Sequence, residues 1–338
     1  MLFNNVSIHS VAHLEAPIRV TSAEISERLA KTLKRVRLPL NYLERTTGIK
    51  ERRFWEEGTQ PSDAATLVAE KVIKKSGLSK NDIGAVINTS ITKDFIEPSI
   101  ACIVHGNLKL SPHSINFDVG NACLGFLNGI HIAATMIEGG QVDHVLIVSA
   151  ENINEGMQST IDRLNQDSIN LKEVRQDLAS ITLGSGAAAM IISRSDLAPT
   201  GHSIRGLVIQ SATEHNRLCC AWPDRMETDA PKLVIAAVNL VQKTYEKGRN
   251  DLGWQINQFD EFACHQVSKS YFQKTLNFLN VESEKLMVTY PDFGNMGSVS
   301  LPFTVSKLEE VGRLAVGKKM LMLGAGSGLN SIAIEVHW

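Results

Sequence analysis

The sequence repeats itself at long range, and this constrains the fold more than any other feature. Gly120-Asn121 opens a helical stretch that leads to an apolar run at His144, and Gly294-Asn295 opens another that leads to Lys318; both pairs are offset by 174 residues. The apolar run Ile83–Thr89 finds its counterpart in Phe259–His265 at nearly the same offset. Strands and helices that recur in one order point to an internal duplication. A duplicated βαβ unit predicts two similar halves about a pseudo-twofold axis, with the helices after Asn121 and Asn295 meeting near the centre. The first of these, CLGFLNGIHIAATMI, is apolar nearly all round, as a helix buried on every side must be.

Eight short apolar runs read as strands: Ile83–Thr89, Ser114–Val119, His144–Ala150, Ala187–Ser193, Arg205–Ser211, Phe259–His265, Lys318–Leu323 and Ser331–Val336. Helical stretches lie between them, notably Ser62–Ser76, Leu124–Gly139, Asp229–Gly248 and Leu301–Val311. The alternation predicts an α/β fold with buried, largely parallel sheets, divided into an N-terminal half, 1–183, and a C-terminal half, 184–338. Asn152–Thr182 and Thr213–Lys232 interrupt the repeat and are more polar, which suits a pocket roof or part of a subunit interface.

Composition narrows the function. A formal net charge of -2 gives no bulk attraction for nucleic acid or an anionic membrane surface. No apolar run reaches the length of a membrane span, and MLFNNVSIHS lacks the basic and apolar regions of a signal peptide, so the expectation is a cytoplasmic protein. The five cysteines, Cys102, Cys123, Cys219, Cys220 and Cys264, are odd in number and have no C-x-x-C spacing. That argues against a disulfide framework or a structural zinc site and leaves each thiol as core filler or nucleophile.

Cys123 follows a strand and a Gly-Asn-Ala turn at the first turn of the buried helix, where free N–H groups and the helix dipole favour a thiolate. Its alternative is a small apolar core residue. His265 ends an apolar strand, where site residues of α/β proteins collect, although a lone His can equally be structural. Asn295 can be read as a helix cap. The repeat is what sets strand end 265 and helix start 295 opposite the helix start bearing Cys123. Gly324-Ala325-Gly326-Ser327-Gly328 leads into a strand, whereas a dinucleotide loop opens a helix; close backbone approach and donation of an N–H to an oxyanion suit it better. His105 and His131, both within helical stretches, are read as structural, and Arg217 and Arg225 either touch substrate phosphates or are solvated.

Taken in order across the whole chain, Cys123 in NACLGF, His265 in CHQVS, Asn295 in GNMGSVSLP and the loop GAGSGLN resemble the ketoacyl synthase III branch of the thiolase superfamily. Within that branch, DFIEPSIACIVHGNL, NACLGF and GSGLN are most similar to OleA-type enzymes, which condense two acyl-CoA thioesters head to head. Ser327 departs from the glycine usual at this point of synthase III, a change that backbone donation survives. The resemblance implies a thiolase-like fold of mixed five-stranded sheets in αβαβα layers, and a homodimer with no cofactor beyond coenzyme A thioester substrates.

It also implies roles. Cys123 takes up an acyl group, its own N–H and that of Ser327 hold the oxyanion, and His265 and Asn295 bind the carbonyl of the second thioester as it becomes an enolate. An unactivated acyl donor must lose an α-proton, which needs a base; in OleA-type enzymes a glutamate reaches in from the partner subunit, and Glu97 in Phe-Ile-Glu-Pro-Ser matches it. Read alone, Glu97 before Pro98 is also what a helix start prefers. The implied product is a 2-alkyl-3-keto acid for long-chain olefin formation, with downstream hydrocarbon-pathway enzymes as partners. Two other readings stand beside it: a decarboxylating 3-oxoacyl carrier-protein synthase III using a malonyl donor, and a non-catalytic scaffold subunit of a lipid-assembly complex. Chain length and the choice between CoA and carrier-protein donors are not legible.

Overall fold

The computed structural model describes residues 1–338. All eight expected strands and all four expected helices are present, with ends shifted by a few residues. The strands lie in one hydrogen-bonded sheet of nine, and the duplication is visible in its pairing. Ala85–Asn88 runs parallel to both Ile115–Asp118 and His144–Glu151, and Gly186–Arg194 is antiparallel to His144–Glu151 and to Val6–Glu15. In the second half Glu261–Cys264 runs parallel to Lys319–Gly326, followed by the antiparallel neighbours Asn330–His337 and His202–Ser211. A single parallel bridge, Phe262 to Leu286, stands where the first half has the strand Ile115–Asp118. The halves join edge to edge through Ser7–Ser203 and Ile8–His202.

Two expectations change. Antiparallel neighbours outnumber parallel ones, because an apolar run buried on both faces looks the same whichever way its neighbour runs. Gly186–Arg194 completes the first block by pairing with Val6–Glu15, so that half extends past 183, to Arg194. The strand Val6–Glu15 was absent from the sequence reading. Its buried polar side chains, Ser7 on Ser195 Oγ (2.8 Å) and His13 Nδ1 on Ser306 Oγ (2.8 Å), interrupt the apolar pattern and are satisfied only by distant partners.

Both central helices, Gly125–Glu138 and Ser300–Glu310, contribute to one core: Leu127, Ile130, Leu301 and Val305 pack with Ile147 from one half-sheet and Ile332 from the other. Each such side chain, fully buried, contributes about 1.5–3 kcal/mol. The insertion folds as the helices Asn154–Leu164 and Leu171–Asp177, whose Met157, Ile161 and Val174 close a smaller cluster with Ile25, Leu29 and Leu33. On it rests the hairpin Cys219–Ala221 and Met226–Thr228, held where Ser180 Oγ donates to Met226 O (3.2 Å). No helix is long and apolar enough to cross a membrane.

Candidate active site

Cys123 sits in a 3₁₀ turn, Ala122–Leu124, between the strand Ile115–Asp118 and the helix Gly125–Glu138. Ala122 has φ +46°, which costs a residue with a Cβ about 1–2 kcal/mol, so the surroundings must hold the turn. They do so through Asn121, whose Nδ2 donates to Asn128 Oδ1 (2.7 Å) and whose Oδ1 accepts from Asn330 Nδ2 (3.2 Å). Gly125 is required next: a Cβ there would lie 2.7 Å from Thr89 O, so only glycine lets the helix start abut the end of the neighbouring strand. One expectation fails. The helix start does not make a resting thiolate, because burial pushes the Cys123 thiol up to about 12, with Cys219 and Glu151 adding to the shift.

His265 follows the strand Glu261–Cys264, and its N–H donates to Leu323 O (3.0 Å). It is buried, its ring lies edge-on to Tyr271 at 6.4 Å, and neither ring nitrogen has a hydrogen-bond partner within the chain. Burial pushes the imidazole down to about 4. A neutral ring with both nitrogens unpaired can accept a proton at one and donate from the other.

Asn295 does not cap the helix Ser300–Glu310. Its Oδ1 accepts from Gly297 N–H (3.0 Å), which fixes the amide and leaves Nδ2 to donate elsewhere. Its backbone is stitched to the end of the insertion, N–H to Thr182 O (3.0 Å) and O from Gly184 N–H (3.0 Å).

The Cys123 turn and His265 meet against the strand Lys319–Gly326. A Cβ on Gly324 would lie 3.1 Å from His265 Cβ and 3.3 Å from Leu124 Cδ2; one on Gly326 would lie 3.2 Å from Leu124 N and 3.3 Å from Asn121 O. Ser298 Oγ closes the other side by accepting from Phe126 N–H (3.0 Å), which ties the helix after Cys123 to the turn after Asn295. Ser327 lies in the tight turn just beyond Gly326. Glu97 is not brought to this point within one chain: it is exposed, in the loop that leads to the helix Ile100–Leu108, beside the exposed Phe95 and Ile96. The exposed apolar neighbours leave that loop free to meet another surface.

The sequence reading missed Glu151, Thr89 and Ser298. Glu151 alone left a signal, a carboxylate closing the apolar run HVLIVSA. Gly184 was also missed, and a Cβ there would lie 2.0 Å from Phe293 O. Gly184→Ala is therefore expected to displace the Asn295 turn, costing roughly 1–3 kcal/mol by chemical denaturation and lowering turnover together with stability. Unchanged stability would show that the turn yields freely.

Residues 117–212 match the family described as 3-oxoacyl-[acyl-carrier-protein] synthase III, and residues 250–338 match the C-terminal part of that synthase. An acyl-CoA:acyl-CoA alkyltransferase of Xanthomonas campestris pv. campestris is 43% identical over 338 residues, covering 100% of both chains. The chain belongs to the synthase III family. An acyl-CoA:acyl-CoA alkyltransferase of Shewanella oneidensis is 36% identical over 350 residues and 100% of each chain, whereas a Beta-ketoacyl-[acyl-carrier-protein] synthase III of Clostridium tetani is 25% identical over 88% of this chain and 90% of its own. A crystal structure of Xanthomonas campestris OleA superposes with a TM-score of 0.98 at 43% identity, covering 100% of both chains, so this synthase III relative has the thiolase-like fold. A cysteine-to-serine form of that OleA was crystallised with lauric acid and lauroyl-CoA, at 42% identity and a TM-score of 0.98. Other solved OleA forms carry a substituted histidine or glutamate, and the glutamate, cysteine and histidine have the same spacing as Glu97, Cys123 and His265 here.

Proposed function

We propose that the protein is an acyltransferase that joins two fatty acyl-CoA molecules by a Claisen condensation without decarboxylation. The observations that support the reading are the packing of the Cys123 turn and of His265, a buried imidazole with both nitrogens unpaired, against Gly324–Gly326, and the Asn295 carboxamide held by Gly297, in a chain that aligns end to end with acyl-CoA:acyl-CoA alkyltransferases.

In the first half-reaction Cys123 Sγ attacks the thioester carbonyl as His265 accepts the thiol proton. The backbone N–H groups of Cys123 and Ser327 hold the oxyanion, and coenzyme A departs as its thiol after taking the proton back from His265. In the second, Glu97 of the partner subunit removes an α-proton from another acyl-CoA. His265 and Asn295 donate hydrogen bonds to the enolate oxygen, the α-carbon attacks the acyl-cysteine carbonyl, and Cys123 leaves as a thiolate that takes up the proton Glu97 had accepted, which restores both groups. The 2-alkyl-3-ketoacyl-CoA is then hydrolysed by water to coenzyme A and the β-keto acid, which downstream hydrocarbon-forming enzymes would consume. Coenzyme A thioesters are substrates here, and the scheme calls on no metal or bound cofactor. The enzyme is read as a cytoplasmic homodimer in which Glu97, exposed in its own chain, reaches the partner's site.

Lauroyl-CoA, alone and with malonyl carrier protein, separates the readings. Condensation of lauroyl-CoA with itself supports this one; product only with the malonyl donor overturns it in favour of a decarboxylating synthase III. Glu97→Gln is expected to keep acyl-cysteine formation while losing α-deuterium exchange and condensation by roughly 10²-fold or more. Near wild-type exchange would end the assignment of Glu97 as base.

A further inference from the structure

Glu151 ends the strand His144–Glu151 and is 2% exposed. Its Oε1 accepts from Ile91 N–H (2.9 Å), and its Oε2 accepts from both Thr92 N–H (2.9 Å) and Thr92 Oγ1 (3.0 Å). Ile91 and Thr92 are the foot of the loop that runs through Glu97. On the opposite side is Gly297, at φ +54°, where a Cβ would lie 3.5 Å from Glu151 Oε1 and 2.9 Å from Ile91 Cδ1. Gly297 supplies the N–H that fixes Asn295 Oδ1, and the Ser298 backbone N–H also favours the charged form of Glu151. One carboxylate thus touches the turn that holds Asn295 and the loop that carries Glu97.

We infer that Glu151 is a positioning residue that clamps the foot of the Glu97 loop to the Asn295 turn, and so governs enolate formation without touching the substrate. This rests on the reading given above for Glu97 and Asn295. A carboxylate is required because three donors converge on its two oxygens; a glutamine has one acceptor oxygen and would turn an N–H₂ group toward a backbone N–H. Burial pushes Glu151 up to about 7, while those donors favour its charged form. The donors are all neutral and belong to the loop and the turn, so the organisation of those segments is what the carboxylate maintains.

The test uses the full-length protein with Glu151→Gln, Thr92→Val and the double substitution. Two readouts are followed with lauroyl-CoA: the Cys123 acyl adduct by intact mass, which needs no enolate, and condensation with α-deuterium exchange, which does. The expected result is adduct formation within about twofold of wild type and condensation and exchange lower by about tenfold or more in each single variant. The double variant should lose less than the product of the two single losses, because the two changes share the Glu151–Thr92 link, while Thr92 Oγ1 separately accepts from Asn152 N–H (3.0 Å). Thr92→Val carries the test if Glu151→Gln does not fold. Unaffected condensation in a folded variant overturns the inference, as does an equal fall in both readouts, which would mean general loosening. Wild-type protein that forms neither adduct nor product overturns the functional reading itself and this inference with it.

Discussion

Cys123→Ala is expected to abolish the acyl adduct and lower condensation by roughly 10³-fold or more, because the reaction loses its covalent intermediate and not merely a contact. The alanine removes only the sulfur from a turn whose shape is set by Asn121, Asn128, Asn330 and Gly125, so stability should stay within about 1 kcal/mol of wild type. Intact-mass analysis after incubation with lauroyl-CoA gives one added acyl group on the wild-type chain and none on the variant. Peptide mapping locates the adduct, because Cys219 lies close enough to Cys123 to add to its shift. Cys264 is buried and its thiol is also pushed up to about 12, while Cys102 is exposed on the helix Ile100–Leu108. An adduct that survives Cys123→Ala, on a folded protein, would remove the nucleophile from the proposed mechanism.

Much of this site was legible because the duplication encodes its geometry. Strands recurring at a fixed offset place two helix starts at the centre, and the residues at those starts, Cys123 and Asn295, could be named without coordinates. His265 followed from the same logic, since the strand before it repeats Ala85–Asn88. The N-terminal strand Val6–Glu15 was illegible because its polar side chains are satisfied by Ser195 and Ser306, partners that only the tertiary fold brings near. The largely parallel sheet failed for a related reason: burial on both faces fixes composition and leaves direction open.

Electrostatics was the least legible layer. The Cys123 thiolate expected at a helix start is an argument about local dipoles, worth about 0.3–1 kcal/mol at an exposed site. Burial depends on what the whole chain packs around the sulfur, and here it outweighs the dipole. Glu151 illustrates the same limit: nothing near it in sequence shows that Ile91, Thr92 and Gly297 will surround it. Glu97 is legible only through resemblance, because in its own chain it stays exposed in a loop with no partner to mark it.

These two shifts together make a sharp prediction for His265. With the thiol pushed up to about 12 and the imidazole down to about 4, the protonated sulfur and neutral ring are the resting pair throughout the intervening range. Acylation that passes the proton from sulfur to ring therefore has the same reactant at pH 5 as at pH 9, and its rate should be flat between them. A thiol acting alone behaves differently: its thiolate fraction, and with it the rate, rises tenfold per pH unit below its pKa. His265→Gln should convert the first behaviour into the second while lowering acylation near neutral pH by roughly 10²–10⁴-fold. Stability carries an independent signature of the same ring. Because the folded-state value lies below the ordinary value of 6.5, the unfolded chain takes up this proton first, so this ring's contribution destabilises the native state as pH falls from about 6.5 to about 4. His265→Gln should weaken that acid dependence even as it slows acylation. A wild-type acylation rate that climbs tenfold per pH unit across neutrality would show that Cys123 ionises without the imidazole, and the proton transfer assigned to His265 would fall.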